Sequence, residues 1–187
     1  SSKKENDWSV SLSFMQIYME DIYDLLNPTD KKLQIREDIE YGETYVEDLV
    51  IVPISNYKQS IDLINAGLKY RKTGNQRMNQ LSSRSHTILT IYVSQKISHT
   101  EYMSSTLNLI DLAGSERIKK SNSVDQRLDE AKFINSSLSA LGNVISSLAE
   151  NNTDKFVPYR SSKLTRILKN SLTGHSKVSV ICTLDTS

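Results

Sequence analysis

The stretch Ser105-Thr106-Leu107-Asn108-Leu109-Ile110-Asp111-Leu112-Ala113-Gly114-Ser115-Glu116 carries the features that decide the fold. Its apolar run predicts a buried strand that ends on the carboxylate of Asp111, before a turn at Gly114. In α/β proteins a carboxylate at the carboxyl end of a strand faces a bound ligand. In nucleoside-triphosphate enzymes it holds Mg²⁺, and the following glycine lets a backbone N–H reach the terminal phosphate. The spacing alone also suits an ordinary strand and turn, so a second element has to decide.

The second element is the loop Asn79-Gln80-Leu81-Ser82-Ser83-Arg84-Ser85-His86. Its hydroxyls and backbone N–H groups suit a metal ion and a phosphate, and a β-rich run from Thr87 to Val93 follows it. Serine clusters alone are usually solvated loops or helix caps. The combination of NxxSSRSH with DLAGSE is much more specific than either motif.

Together the two motifs resemble switch I and switch II of the kinesin motor domain. Two further blocks match that family, Ile134-Asn135-Ser136-Ser137-Leu138-Ser139-Ala140-Leu141-Gly142-Asn143-Val144-Ile145 and Val157-Pro158-Tyr159-Arg160-Ser161-Ser162-Lys163-Leu164-Thr165-Arg166. The similarity runs in the family's order from about Trp8 to Leu184. The resemblance implies an α/β fold: a three-layer, P-loop-NTPase-like motor domain with a mixed, mainly parallel central β-sheet flanked by helices, here lacking its first part.

A phosphate-binding loop of the form GxxxxGK[ST] does not occur in the sequence. The nearest approach, Gly174-His175-Ser176-Lys177, has the wrong spacing. In kinesins that loop precedes the strand beginning near Trp8. We therefore expect residues 1–187 to form a partial motor domain with both switches, the relay helix and the microtubule-binding segments, but without the phosphate loop or neck linker. On its own such a chain is expected not to hydrolyse ATP.

The resemblance also implies roles for individual residues, with ATP and Mg²⁺ as cofactors. Ser83 would ligate Mg²⁺ through its hydroxyl, and Asp111 would hold the same ion through water. The residues implied around the terminal phosphate are Asn79, Ser82 and Gly114, with Arg84 and Glu116 as an ion pair that closes the site. Asn135 would couple switch II to a relay helix beginning nearby. The implied microtubule contacts are Lys120, Tyr159, Arg160, Lys163 and Arg166.

Charge is unevenly distributed along the chain, although its 23 basic and 22 acidic residues nearly cancel. The first fifty residues hold 12 acidic and 5 basic side chains, whereas 155–184 holds six basic and no acidic ones. A segregated basic end implies an acidic partner, nucleic acid or an acidic protein surface. The resemblance selects the microtubule and not nucleic acid. The acidic side chains from Leu33 to Val52 are predicted to form a solvated face.

Cysteine content and hydropathy bear on the compartment. A single cysteine, Cys182, excludes an internal disulfide and fits a reducing cytosol. The sequence has no signal-peptide pattern and no apolar run near 18 residues, so we expect no membrane span. The expected location is the cytoplasm, on the microtubule cytoskeleton, with dimerisation only through segments outside this chain.

Apolar periodicity predicts the individual elements. Alternation predicts strands over Trp8 to Tyr18 and Lys177 to Leu184, and a hairpin from His86 to Ala113 whose short connection requires antiparallel strands. Short strands are expected around Gly42. A helix capped by Ser55 or Asn56 would face Ile61, Ile64 and Leu68 inward. A later helix would bury a stripe consisting of Ala131, Ile134, Leu138, Leu141, Ile145 and Leu148.

Three functions are compatible with these observations. The first is an ATP-driven microtubule motor. The second is a kinesin-like microtubule-binding module without ATPase activity, which the missing phosphate loop keeps open. A GTPase of the DxxG type is the third and weakest, because SSRSH and the block around Arg160 have no place in it. His86 and His99 are predicted to be structural or exposed, because no Cys/His spacing suits zinc.

Overall fold

The computed structural model of the chain describes residues 8–73, 84–98, 100–114, 125–150, 156–173 and 176–183. The strands are β1 (Trp8–Tyr18), β2 (Asp21–Asp24), β3 (Ile35–Glu37), β4 (Thr44–Val46), β5 (Val52–Ile54), β6 (His86–Lys96) and β7 (Tyr102–Asp111). The helices are α1 (Tyr57–Thr73), α2 (Asp125–Ala149) and α3 (Lys163–Leu172), with a 3-10 turn at Tyr159–Ser161 before α3. None of the helices in this part of the chain is long and apolar enough to cross a membrane.

The main sheet has the strand order β2-β1-β6-β7, with β5 also pairing to β1. The predicted β6–β7 hairpin is confirmed, with Thr87 opposite Asp111 at one end and Lys96 opposite Tyr102 at the other. The prediction of a mainly parallel sheet is wrong for the described strands, since every pair among them is antiparallel. Short connections such as 97–101 can only reverse the chain, whereas a parallel pair requires a long crossover.

Strand β1 has buried residues on each of its two faces, because helices cover the sheet on both sides. Leu12 and Phe14 pack in one apolar cluster, which includes Ile64 of α1. Met15 and Ile17 alternate with them and pack against Leu164, Leu168 and other residues on the opposite face. The predicted arrangement of a sheet flanked by helices is therefore present in the described residues.

The β1–β2 turn contains two residues in the left-handed region, Met19 at φ 49° and Glu20 at φ 61°. A two-residue hairpin turn of this hand favours Asn-Gly, and bulky residues there are strained. Glu20 has a compensating contact, because its Oε2 accepts the backbone N–H of Lys163 at 2.8 Å. Its carboxylate thus lies at the N-terminus of α3, where negative charge is favourable.

Gly67 allows α1 to lie close to β1. A Cβ built on Gly67 would come within 2.6 Å of the Phe14 ring and 3.3 Å of the Leu25 carbonyl oxygen. Because Phe14 is buried, its ring has little room to move aside. We expect Gly67→Ala to lower the free energy of unfolding by about 1–3 kcal/mol through overpacking, measured by urea denaturation followed by circular dichroism.

Gly142 supplies the matched control for this substitution. It lies inside α2, and a Cβ there would meet nothing within 4 Å. Gly142→Ala should therefore stabilise the protein by up to about 1 kcal/mol through helix propensity. Equal effects of the two alanines would contradict the close approach at Gly67.

The prediction that the strand ending on Asp111 is buried is wrong for the described residues, since Leu107, Leu109 and Ile110 of β7 are exposed. The apolar clusters that the sheet forms with the helices are centred on β1 and include none of these three side chains.

Three further helical and strand predictions differ from the structure. Leu68 of α1 is 37% exposed instead of buried, and Gly67 occupies the inward position beside it. Helix α2 begins at Asp125 and not near Asn135. The predicted strand at Lys177 to Leu184 is absent from the described residues 176–183, and Val178 and Val180 are exposed. Alternation alone does not make a strand when no neighbouring strand supplies hydrogen bonds.

The buried face of α2 also differs from the predicted stripe. Ile145 and Leu148, two of its members, are exposed, whereas Ser137, Ala140 and Val144 are buried. These three residues also recur at helical spacing, but each directly precedes a member of the predicted stripe: Leu138, Leu141 and Ile145. The difference comes from tertiary packing: Ser137 meets His86 of β6, and Leu141 of the predicted stripe is partly buried against the cluster that contains Leu164 of α3.

Candidate functional site

The two predicted switch motifs meet at one end of the β6–β7 hairpin. His86 ends the first motif and begins β6, while Asp111 ends β7 inside the second motif. The pairing of Thr87 with Asp111 places His86 beside the turn that contains Ala113 and Gly114. The described parts of the two motifs are therefore adjacent, as a shared ligand site requires.

Arg71 in the last turn of α1 holds this junction together. Its Nη1 donates to Asp111 Oδ2 at 3.1 Å, and its Nη2 donates to the Ser85 carbonyl oxygen at 3.1 Å. The Arg71 side chain is 8% exposed, whereas that of Asp111 is 68% exposed. A buried guanidinium thus orients a carboxylate whose other oxygen remains accessible to a ligand.

His86 joins the same junction to α2. The imidazole is buried, its Nδ1 accepts the Ala113 N–H at 3.0 Å, and its Nε2 lies 2.8 Å from Ser137 Oγ. Burial lowers the pKa of His86 to about 4, against the smaller opposing effect of Asp111, so the ring is neutral near pH 7. The prediction of a structural histidine fits this environment, and the described residues contain no cluster of His, Cys, Asp or Glu suited to a metal.

Sequence reasoning did not identify Arg71, Ser137 or the connecting role of His86. Arg71 and Ser137 resemble ordinary polar residues within helical patterns, and their partners are 40 and 51 positions away. The available signal was a polar residue at an inward position, since His86 shares its strand face with Ile88. Such a position indicates a buried hydrogen-bond partner but does not identify it.

Several predicted site residues lie outside the described residues, namely Asn79, Ser82, Ser83, Glu116 and Lys120. Arg84 is half-buried in the turn before β6, and Gly114 is half-buried after β7. Asn135 is exposed on α2, two residues before the buried Ser137. Arg84 and Gly114 each lie three residues from the Thr87–Asp111 pair, at the same end of the hairpin. The Arg84–Glu116 pair stays a prediction.

The predicted basic surface is built around the start of α3. Ser162 caps the helix by accepting the Thr165 N–H at 3.1 Å, and the Thr165 hydroxyl in turn accepts the Ser162 N–H. Arg160, in the 3-10 turn before this cap, is 78% exposed at its side chain, and Lys163, the first residue of α3, is 22% exposed and lies 3.8 Å from Asp21. Arg166 is half-buried.

Tyr159 precedes this cap and is only partly buried, but its hydroxyl is fully covered. Among the described residues that hydroxyl has no hydrogen-bond partner. Burial raises the pKa of Tyr159 above its usual range, against the smaller effect of Lys169. The hydroxyl is thus turned away from solvent at the edge of the basic surface.

Acidic residues of the first fifty contact these cations instead of forming only a solvated face. Glu37 Oε1 accepts from Lys169 Nζ at 2.6 Å, and its Oε2 accepts from Arg160 Nη2 at 3.0 Å. These two hydrogen bonds, the one from Lys169 first, lower the pKa of Glu37. The prediction is corrected at this point: Glu37 of β3 partly neutralises the basic surface and fastens the β3–β4 hairpin to α3.

Comparison with known proteins identifies the family. The kinesin motor domain family matches residues 1–187. The chain is 46% identical over 188 residues to Kinesin-related protein 4 of Dictyostelium discoideum, covering 96% of this chain and 10% of that protein. It is 44% identical over 181 residues to Kinesin-like protein 3 of Schizosaccharomyces pombe, covering 96% of this chain and 32% of that protein.

Solved structures give the same result. A fast kinesin matches with a TM-score of 0.77 and 41% identity, over 90% of this chain and 47% of that one. A KIF14 dimer with AMP-PNP in complex with a microtubule matches with a TM-score of 0.78 and 39% identity, over 91% of this chain and 50% of that one. The chain belongs to the kinesin motor domain family and has its mixed α/β fold. It spans about half the length of these solved motors.

Proposed function

We propose that this chain forms the nucleotide-switch and track-binding part of an ATP-driven, microtubule-based motor. The observation that carries the proposal is the junction in which Arg71 joins the Ser85 carbonyl to the exposed Asp111 carboxylate. A group that links both switch motifs makes each sensitive to the position of the other. The family match and the similarity to a motor solved on a microtubule support the same function.

The accessible oxygen of Asp111 fits a role toward Mg²⁺, which prefers carboxylate oxygen and keeps several of its waters. Asp111 would hold the ion through water and Ser83 through its hydroxyl. When bound, the ion neutralises charge on the phosphates of ATP. In a P-loop-NTPase-like site of this kind, the Gly114 N–H would donate to the terminal phosphate, and Asn79 and Ser82 would orient the attacking water.

Movement would then pass from the second switch to the track. We infer that Arg84 and Glu116 pair when the site closes and separate after the phosphate leaves. The displacement would reach α2 at Asn135 and finally the surface that holds Arg160 and Arg166. Lys120, Tyr159 and Lys163 complete the proposed microtubule contact, which would locate the motor on cytoplasmic microtubules.

The test uses a complete motor containing this chain and measures ATP turnover with and without microtubules. Turnover that microtubules stimulate supports the motor. Microtubule binding without turnover would select the binding module instead, and failure of both would reject the proposed function.

The track contact gives a more specific prediction. In that motor, Arg160→Ala/Arg166→Ala should raise the microtubule concentration for half-maximal ATPase roughly two- to thirtyfold, since two surface ion pairs with the microtubule would contribute about 0.4–2 kcal/mol together. The difference from the parent should shrink as salt rises, because ions screen exposed charges. Basal turnover should change little.

Lys58→Ala is the matched control for the lost charge. Lys58 is exposed on α1, and that helix packs on the sheet face opposite α3. The control should leave the half-maximal microtubule concentration unchanged. An equal rise in both variants would assign the effect to net charge and reject this surface as the contact.

A further inference from the structure

The hydrogen bonds of His86 form a chain with only one possible direction. The Ala113 backbone N–H can only donate, so His86 Nδ1 accepts and Nε2 carries the ring proton. Ser137 Oγ donates to the Ile134 carbonyl oxygen at 2.9 Å, so it accepts from Nε2–H at 2.8 Å. The direction from Ala113 through His86 and Ser137 to Ile134 follows from the two backbone ends.

The two ends of this series of hydrogen bonds belong to elements with different roles, while the His86 imidazole at its centre is buried. Ala113 directly precedes Gly114, the residue proposed to sense the terminal phosphate. Ser137 and Ile134 lie on α2, on both sides of Asn135. His86 itself begins β6 and pairs with Ile17 of β1, and His86, Ala113 and Ser137 are all at most 4% exposed.

We propose that His86 is a positioning residue that ties the peptide before Gly114 to helix α2. This inference rests on the proposed motor function and deepens it. A displacement of the Gly114 turn must either break the bond to Nδ1 or shift the ring, and a shifted ring displaces Ser137. Because buried donors and acceptors are costly to leave unpaired, the turn and the helix favour moving together.

The experiment separates the two links of the imidazole in a complete motor containing this chain. Ser137→Ala deletes the link to α2. His86→Asn keeps an acceptor near the Nδ1 position for Ala113 but cannot reach Ser137. Ser13→Ala is the matched control, because Ser13 is also a fully buried serine whose hydroxyl bonds one side chain, the Tyr92 hydroxyl at 3.2 Å, within the same sheet.

The expected readout is the ratio of microtubule-stimulated to basal ATP turnover. Ser137→Ala and His86→Asn should each lower this ratio about five- to tenfold, the factor that one hydrogen bond contributes to an equilibrium. The double variant should be no worse than either single one, because all remove the same link. Ser13→Ala should change the ratio by less than twofold.

Two results would overturn the inference while leaving the motor function intact: an equal fall of the ratio in Ser13→Ala, or multiplied effects in the double variant.

Amide hydrogen exchange adds a measurement that does not depend on turnover. Exchange at 112–114 should become about five- to tenfold faster in Ser137→Ala than in Ser13→Ala, because the ring loses its second anchor. Unchanged exchange there would reject the coupling, even in a motor without ATPase activity.

Discussion

Replacing Glu116 with alanine in a complete motor should lower ATP turnover about a hundredfold or more, with ATP binding nearly unchanged. We infer that Glu116 pairs with Arg84 only in the closed, poorly solvated state of the site. Removing one partner of a buried pair leaves the other charge uncompensated and costs about 3–5 kcal/mol. That penalty opposes closure, which precedes hydrolysis, and not the initial binding of nucleotide.

The position of Arg84 supports this expectation. Arg84 is half-buried in the turn before β6, next to Ser85, whose carbonyl oxygen Arg71 holds. A cation at a constrained position is well placed to detect whether Glu116 has approached. Arg84→Ala should therefore resemble Glu116→Ala in both turnover and nucleotide affinity, measured by steady-state kinetics and by equilibrium titration with a nucleotide analogue.

A charge swap and a surface pair provide the controls. Arg84→Glu/Glu116→Arg should recover more activity than either single swap, because the attraction is restored in reverse. Glu47→Ala removes an ion pair with Arg36 that is about half exposed and 2.9 Å long, so turnover should stay within about fivefold of the parent. Near-normal turnover in Glu116→Ala would show that the Arg84–Glu116 pair contributes no more than an exposed ion pair such as Arg36–Glu47.

Asp24→Ala should lower the free energy of unfolding by about 3–5 kcal/mol, the largest stability loss that we expect from one substitution. Asp24 is 5% exposed, and its carboxylate accepts three backbone N–H groups. Oδ1 accepts from Leu26 at 2.7 Å and from Asn27 at 3.1 Å, and Oδ2 accepts from Val50 at 2.8 Å. Hydrogen bonds to a charged acceptor contribute about 1.5–3 kcal/mol each, and bonds that share one side chain are not additive.

Asp38 makes the same local turn without the burial and is the matched control. Its Oδ1 accepts from Glu40 at 2.8 Å and from Tyr41 at 3.1 Å, both at the surface. Because water can replace the carboxylate there, Asp38→Ala should cost only about 1 kcal/mol. Urea denaturation of both variants checks the difference, and equal losses would show that burial of the carboxylate has no special effect.

Local pattern was sufficient for much of the fold. The alternation from Trp8 to Tyr18 predicted β1 at its observed bounds, and the short connection after Lys96 predicted an antiparallel hairpin. Both inferences succeed because the period of a strand and the reach of a short loop depend only on neighbouring residues. The motifs NxxSSRSH and DLAGSE also predicted the family that the comparisons confirmed.

Contacts between distant residues were decided by the tertiary structure alone. Arg71 reaches Asp111 and Ser85, His86 reaches Ser137, and Glu37 reaches Arg160, which is 123 positions away. The same holds for the face of α2 that is buried and for the antiparallel pairing of β1 with β5 and β6. Periodicity tells which side chains share a face of an element, but packing determines what that face meets. The coupling proposed between the switch turn and α2 depends on the contacts of His86 with Ala113 and Ser137, and the sequence pattern contains no information about those contacts.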